Sequence, residues 1–254
     1  MAFPSWFDDK FGPHTLELYR DEVRNTDVQV EAVAGILGPP SAGPLLDLCC
    51  GWGRHSVPLA RRGYRVLALD GSEYFINRLS SDLTSADRKR LVPVRADMRA
   101  VPLASGSVTS AFQMYTSFGY GLDPADDPLV LSEVFRVLRP GGTYLLDLIN
   151  WTLARRAFDG KFEEEYPEFD VVEECRIDPA TDILRMKRAL LYRDGRPAHT
   201  YEFEIRLYDR ADLTDLLEAA GFRVVDFWGD FDRSVYVPTR SLRMIAVCRK
   251  EEAR

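Results

Sequence analysis

Three carboxylates stand in or at the ends of short apolar runs in the first half of the chain. They are Asp47 in "LLDLCCGWGRH", Asp70 in "RVLALDGS" and Asp97 in "VPVRADMRAVP". Open α/β sheets bind ligands at the carboxyl ends of their strands, so acids in these places point to a polar ligand. Asp70 is suited to the two hydroxyls of a ribose, and Met98, beside Asp97, to the face of an adenine. Gly51 and Gly53 let the backbone after Asp47 turn sharply and approach such a ligand, ahead of a helix over 55–62.

Cys49 and Cys50 sit in the same turn. A catalytic thiolate needs an activating environment and access to its substrate, and vicinal cysteines are poorly placed for an unstrained disulfide. Small size is the property that a close-approach turn uses, and Cys49 fills the small position of an Asp-x-small-x-Gly-x-Gly pattern. His14, His55 and His199 are scattered, with no Cys or His at ligand spacing, so no metal is expected.

Positioning these residues takes a particular alternation of elements. Short apolar runs at 45–48, 65–69, 91–95, 108–115 and 142–149 read as strands separated by longer amphipathic stretches. That is the pattern of a parallel sheet with crossover helices, an α/β fold. Ahead of it a helix is expected over 25–37, with Thr26 and Gln29 at capping-box spacing and Gly38-Pro39-Pro40 as its stop. Within 158–208, β-rich segments alternate with the turn-rich "DPAT" and "RDGRP", and three antiparallel strands are expected. A helix ended by Gly221 and strands at 223–228 and 240–249 follow. The expected organisation is an α/β domain over 1–157 and 209–254, with an N-terminal helical lid, and an antiparallel β insertion at 158–208.

The 254 residues are 46% apolar and 29% charged, ordinary for a globular chain of one domain or two. A formal charge of −7 argues against nucleic acid as a partner, since phosphate binding needs concentrated Lys and Arg. The "DRKR" run at 87–90 reads as a solvated helix end. There is no signal-like start, and no apolar run approaches the ~18 residues of a membrane span. Four cysteines without framework spacing suit a reducing compartment, so a cytoplasmic protein with no membrane partner is expected.

With these motifs in order, the chain resembles the class I S-adenosylmethionine (SAM)-dependent methyltransferases. "LLDLCCGWGRH" is similar to their first motif and "VLALDGS" to their second. "RADMRAVPLASGSVTSAF" resembles the third with its strand, and "SEVFRVLRPGGTYLLDLIN" the helix, turn and fifth strand that follow. "MYTSFGY" and "WGDFDRSVY" resemble a branch of small, mostly bacterial enzymes with a β-sheet insertion and small-molecule acceptors. The resemblance implies a Rossmann-like, mostly parallel seven-stranded sheet with an antiparallel last strand. It implies SAM as cofactor, bound by Asp47, Cys49, Gly51, Gly53, Asp70, Gly71, Asp97 and Met98. Asp97 is then expected to accept from the adenine amino group, with Ser72 beside the ribose. Arg54 stands either against the SAM carboxylate or at the surface.

In that fold the fourth strand end faces the methyl donor, which makes Tyr115, Phe118 and Tyr120 the expected acceptor wall. Trp6, Phe7, Phe11 and Tyr19 are expected to close over it, and the segment with Trp228, Phe231 and Tyr236 to reach the same rim. Tyr19, His14, Tyr120, Asp230 and Asp232 are the candidates to hold or deprotonate the acceptor. The implied reaction is SN2 methyl transfer to nitrogen or oxygen of a small molecule, by a monomer or homodimer. Two other readings stay open: a non-catalytic SAM-binding sensor or scaffold, and a nucleic-acid methyltransferase. The latter's Asn/Asp-Pro-Pro-aromatic loop is replaced here by "QMYTSF". A dinucleotide-dependent dehydrogenase fits less well, with Ser56 in the third glycine position.

Overall fold

Side chains along a strand alternate between the two faces of its sheet, and the first strand shows how this builds the core. The computed structural model describes residues 10–19, 25–121 and 123–251. In β1 (Pro44–Leu48), Leu45 enters one buried cluster while Leu46 and Leu48 enter another on the opposite face. β1 lies mid-sheet, parallel to β2 (Arg65–Asp70) on one side and to β4 (Val108–Gln113) on the other. β3 (Leu91–Arg95) extends the sheet beyond β2, and β5 (Leu138–Ile149) beyond β4, both parallel. Strand order therefore reverses between β1 and β4. The crevice at their carboxyl ends is where such a sheet takes ligands.

Helices cover both faces. α1 (Pro13–Tyr19) stands apart from the main sheet. α2 (Thr26–Leu37), α3 (Ser56–Arg61) and α4 (Glu73–Asp82) bury Val33, Leu59 and Leu79 on the Leu45 face. α5 (Asp126–Val137) buries Val130, Leu131 and Val134 on the other. The expected capping box at the start of α2 is not formed. Asn25 precedes the helix without a side-chain cap, and Thr26 and Gln29 instead accept hydrogen bonds from Arg54. In the "DRKR" run Arg88, Lys89 and Arg90 are exposed as expected, but Asp87 is buried and takes both Arg61 and the Thr84 hydroxyl.

After α6 (Trp151–Ala157) the chain forms a second sheet, wholly antiparallel. It has four strands rather than three: β6 (Gly160–Glu165), β7 (Phe169–Asp178), β8 (Ile183–Tyr192) and β9 (His199–Arg206). β6 reads "GKFEEE" and every residue is exposed, so it has no apolar alternation to find. Its glutamates also discourage a second copy from pairing on that edge. α7 (Arg210–Ala219) then packs Leu213 and Leu217 on the Leu46 face. β10 (Phe222–Trp228) and β11 (Arg243–Lys250) complete a seven-stranded sheet of order β10-β11-β5-β4-β1-β2-β3, with β11 antiparallel to both neighbours. No helix among the described residues is long and apolar enough to cross a membrane.

α1 docks on the insertion rather than on the main sheet. Leu18 is buried with Phe169, Val171 and Leu190. This seats α1 at the open crevice, and Thr15 and Tyr19 line it.

Candidate active site

The turn after β1 uses three left-handed residues, Cys49 (φ 60°), Gly51 (φ 55°) and Gly53 (φ 82°). At Gly53 a Cβ would come within 2.4 Å of Leu79 Cδ1, so only glycine fits the approach to α4 without displacing that side chain. At Gly51 a Cβ would enter open space, the space that a ligand needs. Asp70 ties this turn to the end of β2: Oδ2 accepts the Gly51 N–H and Oδ1 the Ser72 N–H, each at 2.8 Å. A carboxylate has two acceptor oxygens with about two lone-pair sites each, so one N–H does not saturate an oxygen.

The crevice holds about 960 Å³ of empty space, its open mouth included. One wall is Cys49, Gly51 and Trp52, continued by Asp70, Gly71 and Met98. Phe11, Thr15 and Tyr19 form the lid, and Tyr115, Ser117 and Tyr120 the wall after β4. Trp6 and Phe7 lie outside the described residues.

The other expected cofactor residues act from behind the wall or beside it. Asp47 does not line the crevice. It is buried under the turn, where the Ser56 hydroxyl donates to Oδ2 at 2.6 Å. Gly53 faces Leu79, and Asp97 is taken up by Arg99, which also reaches Asp126. Burial works against the charge on Asp97, yet the hydrogen bonds from Arg99 outweigh it and hold the carboxyl below its ordinary value. Ser72 caps α4 and donates from its hydroxyl to the Phe11 carbonyl at 2.7 Å, which anchors the lid segment.

Burial pushes the Asp47 carboxyl up to about 7 from 3.8. The folded chain then holds one more proton than the unfolded chain between about pH 4 and pH 7, and stability falls as pH rises through that window. Asp47→Asn keeps an oxygen for Ser56 and does not titrate. Thermal melts at about pH 5 and pH 8 should show a smaller loss in the variant than in the parent; equal losses would place the titration elsewhere.

Neither cysteine sits in an activating environment. Burial raises both thiols well above their ordinary value, with the Asp70 charge adding to it, so they stay protonated. Cys49 Sγ packs at 3.5 Å from Met98 Sδ, and Cys50 Sγ lies 3.5 Å from the Gly51 carbonyl. Among the described residues no disulfide joins them.

β4 stops at Gln113, short of the expected 115, because Tyr115 (φ 61°) and Thr116 (φ 57°) turn the chain in the left-handed region. Such residues persist only where their surroundings over-determine them. Here Asp147, buried in β5, accepts the Tyr115 N–H at 2.8 Å and an Arg243 N–H at 2.7 Å. The Thr116 hydroxyl accepts from Ile149 N and from Arg243. Two guanidiniums lie over the Tyr115 ring, Arg54 at 5.3 Å from its centroid and Arg243 at 5.5 Å. Arg54 therefore lines the crevice from a seat on Gln29 and Thr26.

Tyr19 meets Tyr115 edge-on at 5.6 Å, and its hydroxyl accepts from Arg188 of β8 at 3.3 Å. Arg188 is buried, ion-paired with Glu173 and bonded to the Tyr201 hydroxyl. Tyr120 packs between Phe11 of the lid and Phe203 of β9. Burial drives its hydroxyl far above the ordinary value, so it is a donor and not a base.

Three expectations for the acceptor side are not met by the geometry. His14 does not line the crevice; it faces the insertion. Asp232 and Asp230 accept the N–H groups of Ser234 and Phe231 in a turn away from the crevice. Phe118, Trp228, Phe231 and Tyr236 belong to the buried clusters, with Tyr236 donating to Asn150. Arg188, Asp147 and Arg243 carry site geometry and were not singled out from sequence. Asp147 had one local signal, an acid inside the otherwise apolar "YLLDLI".

Residues 45–142 match a family model described as a methyltransferase domain. Over 102 residues the chain is 36% identical to demethylmenaquinone methyltransferase of Lactococcus lactis subsp. lactis (strain IL1403), covering 39% of this chain and 38% of that one. The CcbJ methyltransferase from Streptomyces caelestis superposes with a TM-score of 0.79 at 22% identity, over 89% of this chain and 90% of that one. The sugar N-methyltransferase KedS8 from Streptoalloteichus sp ATCC 53650 gives a TM-score of 0.72 at 20% identity, over 99% and 98%. The matches span only 34% to 43% of the length of the first curated relatives. The seven-stranded fold is shared with these solved methyltransferases. Over residues 45–142 this chain is similar to a methyltransferase domain.

Proposed function

We propose that the protein transfers a methyl group from SAM to a nitrogen or oxygen of a small molecule. The observation that carries this reading is one crevice with two unlike halves at the β1/β4 reversal. A glycine turn and Asp70 form one half, and an aromatic, lidded wall the other. Asp70, Gly51, Gly71, Met98 and Cys49 are the residues to hold SAM, with Asp47 and Gly53 shaping the turn from behind. When bound, SAM supplies an electrophilic methyl on a sulfonium.

The chain's own work is positioning and exclusion of water. The lid, fixed by Ser72 to Phe11 and by Arg188 to Tyr19, closes the acceptor half against solvent. Tyr120 offers a proton donor to orient an acceptor oxygen or nitrogen, and Tyr19 presents its hydroxyl opposite Tyr115. A neutral amine needs no base before attack. An enclosed aromatic half favours a small ring or amine over a polymer, which needs an open charged groove. Similarity to a demethylmenaquinone methyltransferase and a sugar N-methyltransferase supports an acceptor of this size.

In this reading the 158–208 insertion is part of the same folding unit and holds the lid. Four thiols outside disulfides suit a cytoplasmic setting. The test is incubation of the protein with methyl-labelled SAM and a panel of amines, phenols, quinols and amino sugars. Transfer of label to a panel member is the expected result. Tight binding of S-adenosylhomocysteine with no transfer across the panel would favour a sensor and overturn the catalytic reading.

A further inference from the structure

α1 and β9 meet through two imidazole rings. The centroids of His14 and His199 are 3.9 Å apart with planes 33° from parallel, and Tyr201 packs on both, 4.8 Å from His14 and 5.5 Å from His199. His14 is buried, and its Nε2–H donates to the Lys10 carbonyl at 3.0 Å. His199 Nε2 is buried and makes no hydrogen bond among the described residues. Neutral imidazoles stack well at this spacing, whereas protonation of the pair sets like charges against each other. The same short helix puts Thr15 and Tyr19 on the crevice.

We propose that His14 and His199 form a pH-sensitive latch, which holds α1 over the crevice while the pair is neutral and loosens it as the pair takes up protons. Charged and titratable groups among the described residues surround the pair. Lys10 lines the same groove, and Glu17 of α1 pairs with Arg196. Arg188 of β8 is tied to Glu173 of β7, and β9 contributes Tyr201 and Glu202. Burial, then His199, then Arg188 hold His14 below its ordinary value, against the opposing pull of the Lys10 carbonyl and Glu17. At neutral pH the latch is therefore closed. The leucine cluster at Leu18 and the Phe11 tether remain when it opens, so the motion is a local release rather than unfolding.

The consequence for ligand exchange rests on the SAM-binding reading, but the latch can be tested without it. Amide hydrogen exchange of 13–19, corrected for intrinsic rates, is compared at about pH 5 and pH 7.5 in the parent, His14→Gln and His199→Gln. Protection in the parent should drop by about tenfold at the lower pH while amides of β1 and β4 are unchanged, and either variant should lose the drop. Equal protection at both pH values in the parent, or a drop that persists in both variants, overturns the latch. Stopped-flow release of S-adenosylhomocysteine should quicken at low pH in the parent alone. A chain that shows the exchange pattern but binds no S-adenosylhomocysteine keeps the latch and removes the cofactor reading.

Discussion

Asp147→Ala is expected to lower folding stability by about 3–5 kcal/mol, the usual cost of stranding one partner of a buried ion pair. The Asp147 side chain is 1% exposed and that of Arg243 18%, so the pair is largely shielded from water. The same carboxylate accepts the Tyr115 N–H, and its loss leaves that group without its acceptor next to two left-handed residues. The Thr116 N–H keeps the Asp147 carbonyl, so the loop stays attached while its strained part is freed. Tyr115 should then leave its seat against Arg54 and Arg243, and the crevice wall should change with it. Asp147→Asn, which retains one acceptor, should lose less than the alanine variant. Urea unfolding measures both. A loss below about 1 kcal/mol in Asp147→Ala would mean that the ion pair is not what holds the turn.

Asp70→Ala should weaken S-adenosylhomocysteine binding by tenfold or more. Hydrogen bonds to a charged group are worth about 1.5–3 kcal/mol each, so one lost ribose contact accounts for roughly ten- to 150-fold. A second effect acts in the same direction. Gly51 and Ser72 both donate to this carboxylate, so the turn and the cap of α4 lose the group that sets their spacing. Asp70→Asn should fall between, because its amide accepts from one of the two N–H groups and opposes the other. Calorimetry decides the matter, and an affinity unchanged in Asp70→Ala would remove Asp70 from the cofactor site.

The strand-end acids show how far a motif reaches. All three look alike in sequence, each within two residues of a strand end. Only Asp70 reaches the crevice, because Asp47 is roofed by its own turn and Asp97 is claimed by Arg99 two residues on. A strand-end position puts an acid near the site; what its carboxylate touches depends on neighbours brought in by the fold. Asp232 makes the same point from the other side. It was a candidate through its aromatic neighbours, yet Phe231 packs under α2 and Asp232 caps a turn.

The sequence by itself determined the order of strands and helices, the glycine turn, the acid at the end of β2 and the presence of an inserted sheet. These rest on periods of two and 3.6 and on turn residues, signals carried by adjacent positions. It missed β6, whose exposed "GKFEEE" has no buried face to leave a pattern. The lid's anchorage and the Tyr115 seat were decided only in three dimensions. Arg188 lies 169 positions from Tyr19, and Arg243 lies 96 from Asp147. Each pair joins an ordinary surface-type residue to a distant partner, and only folding makes the site dry enough for its charge and hydrogen bonds to matter.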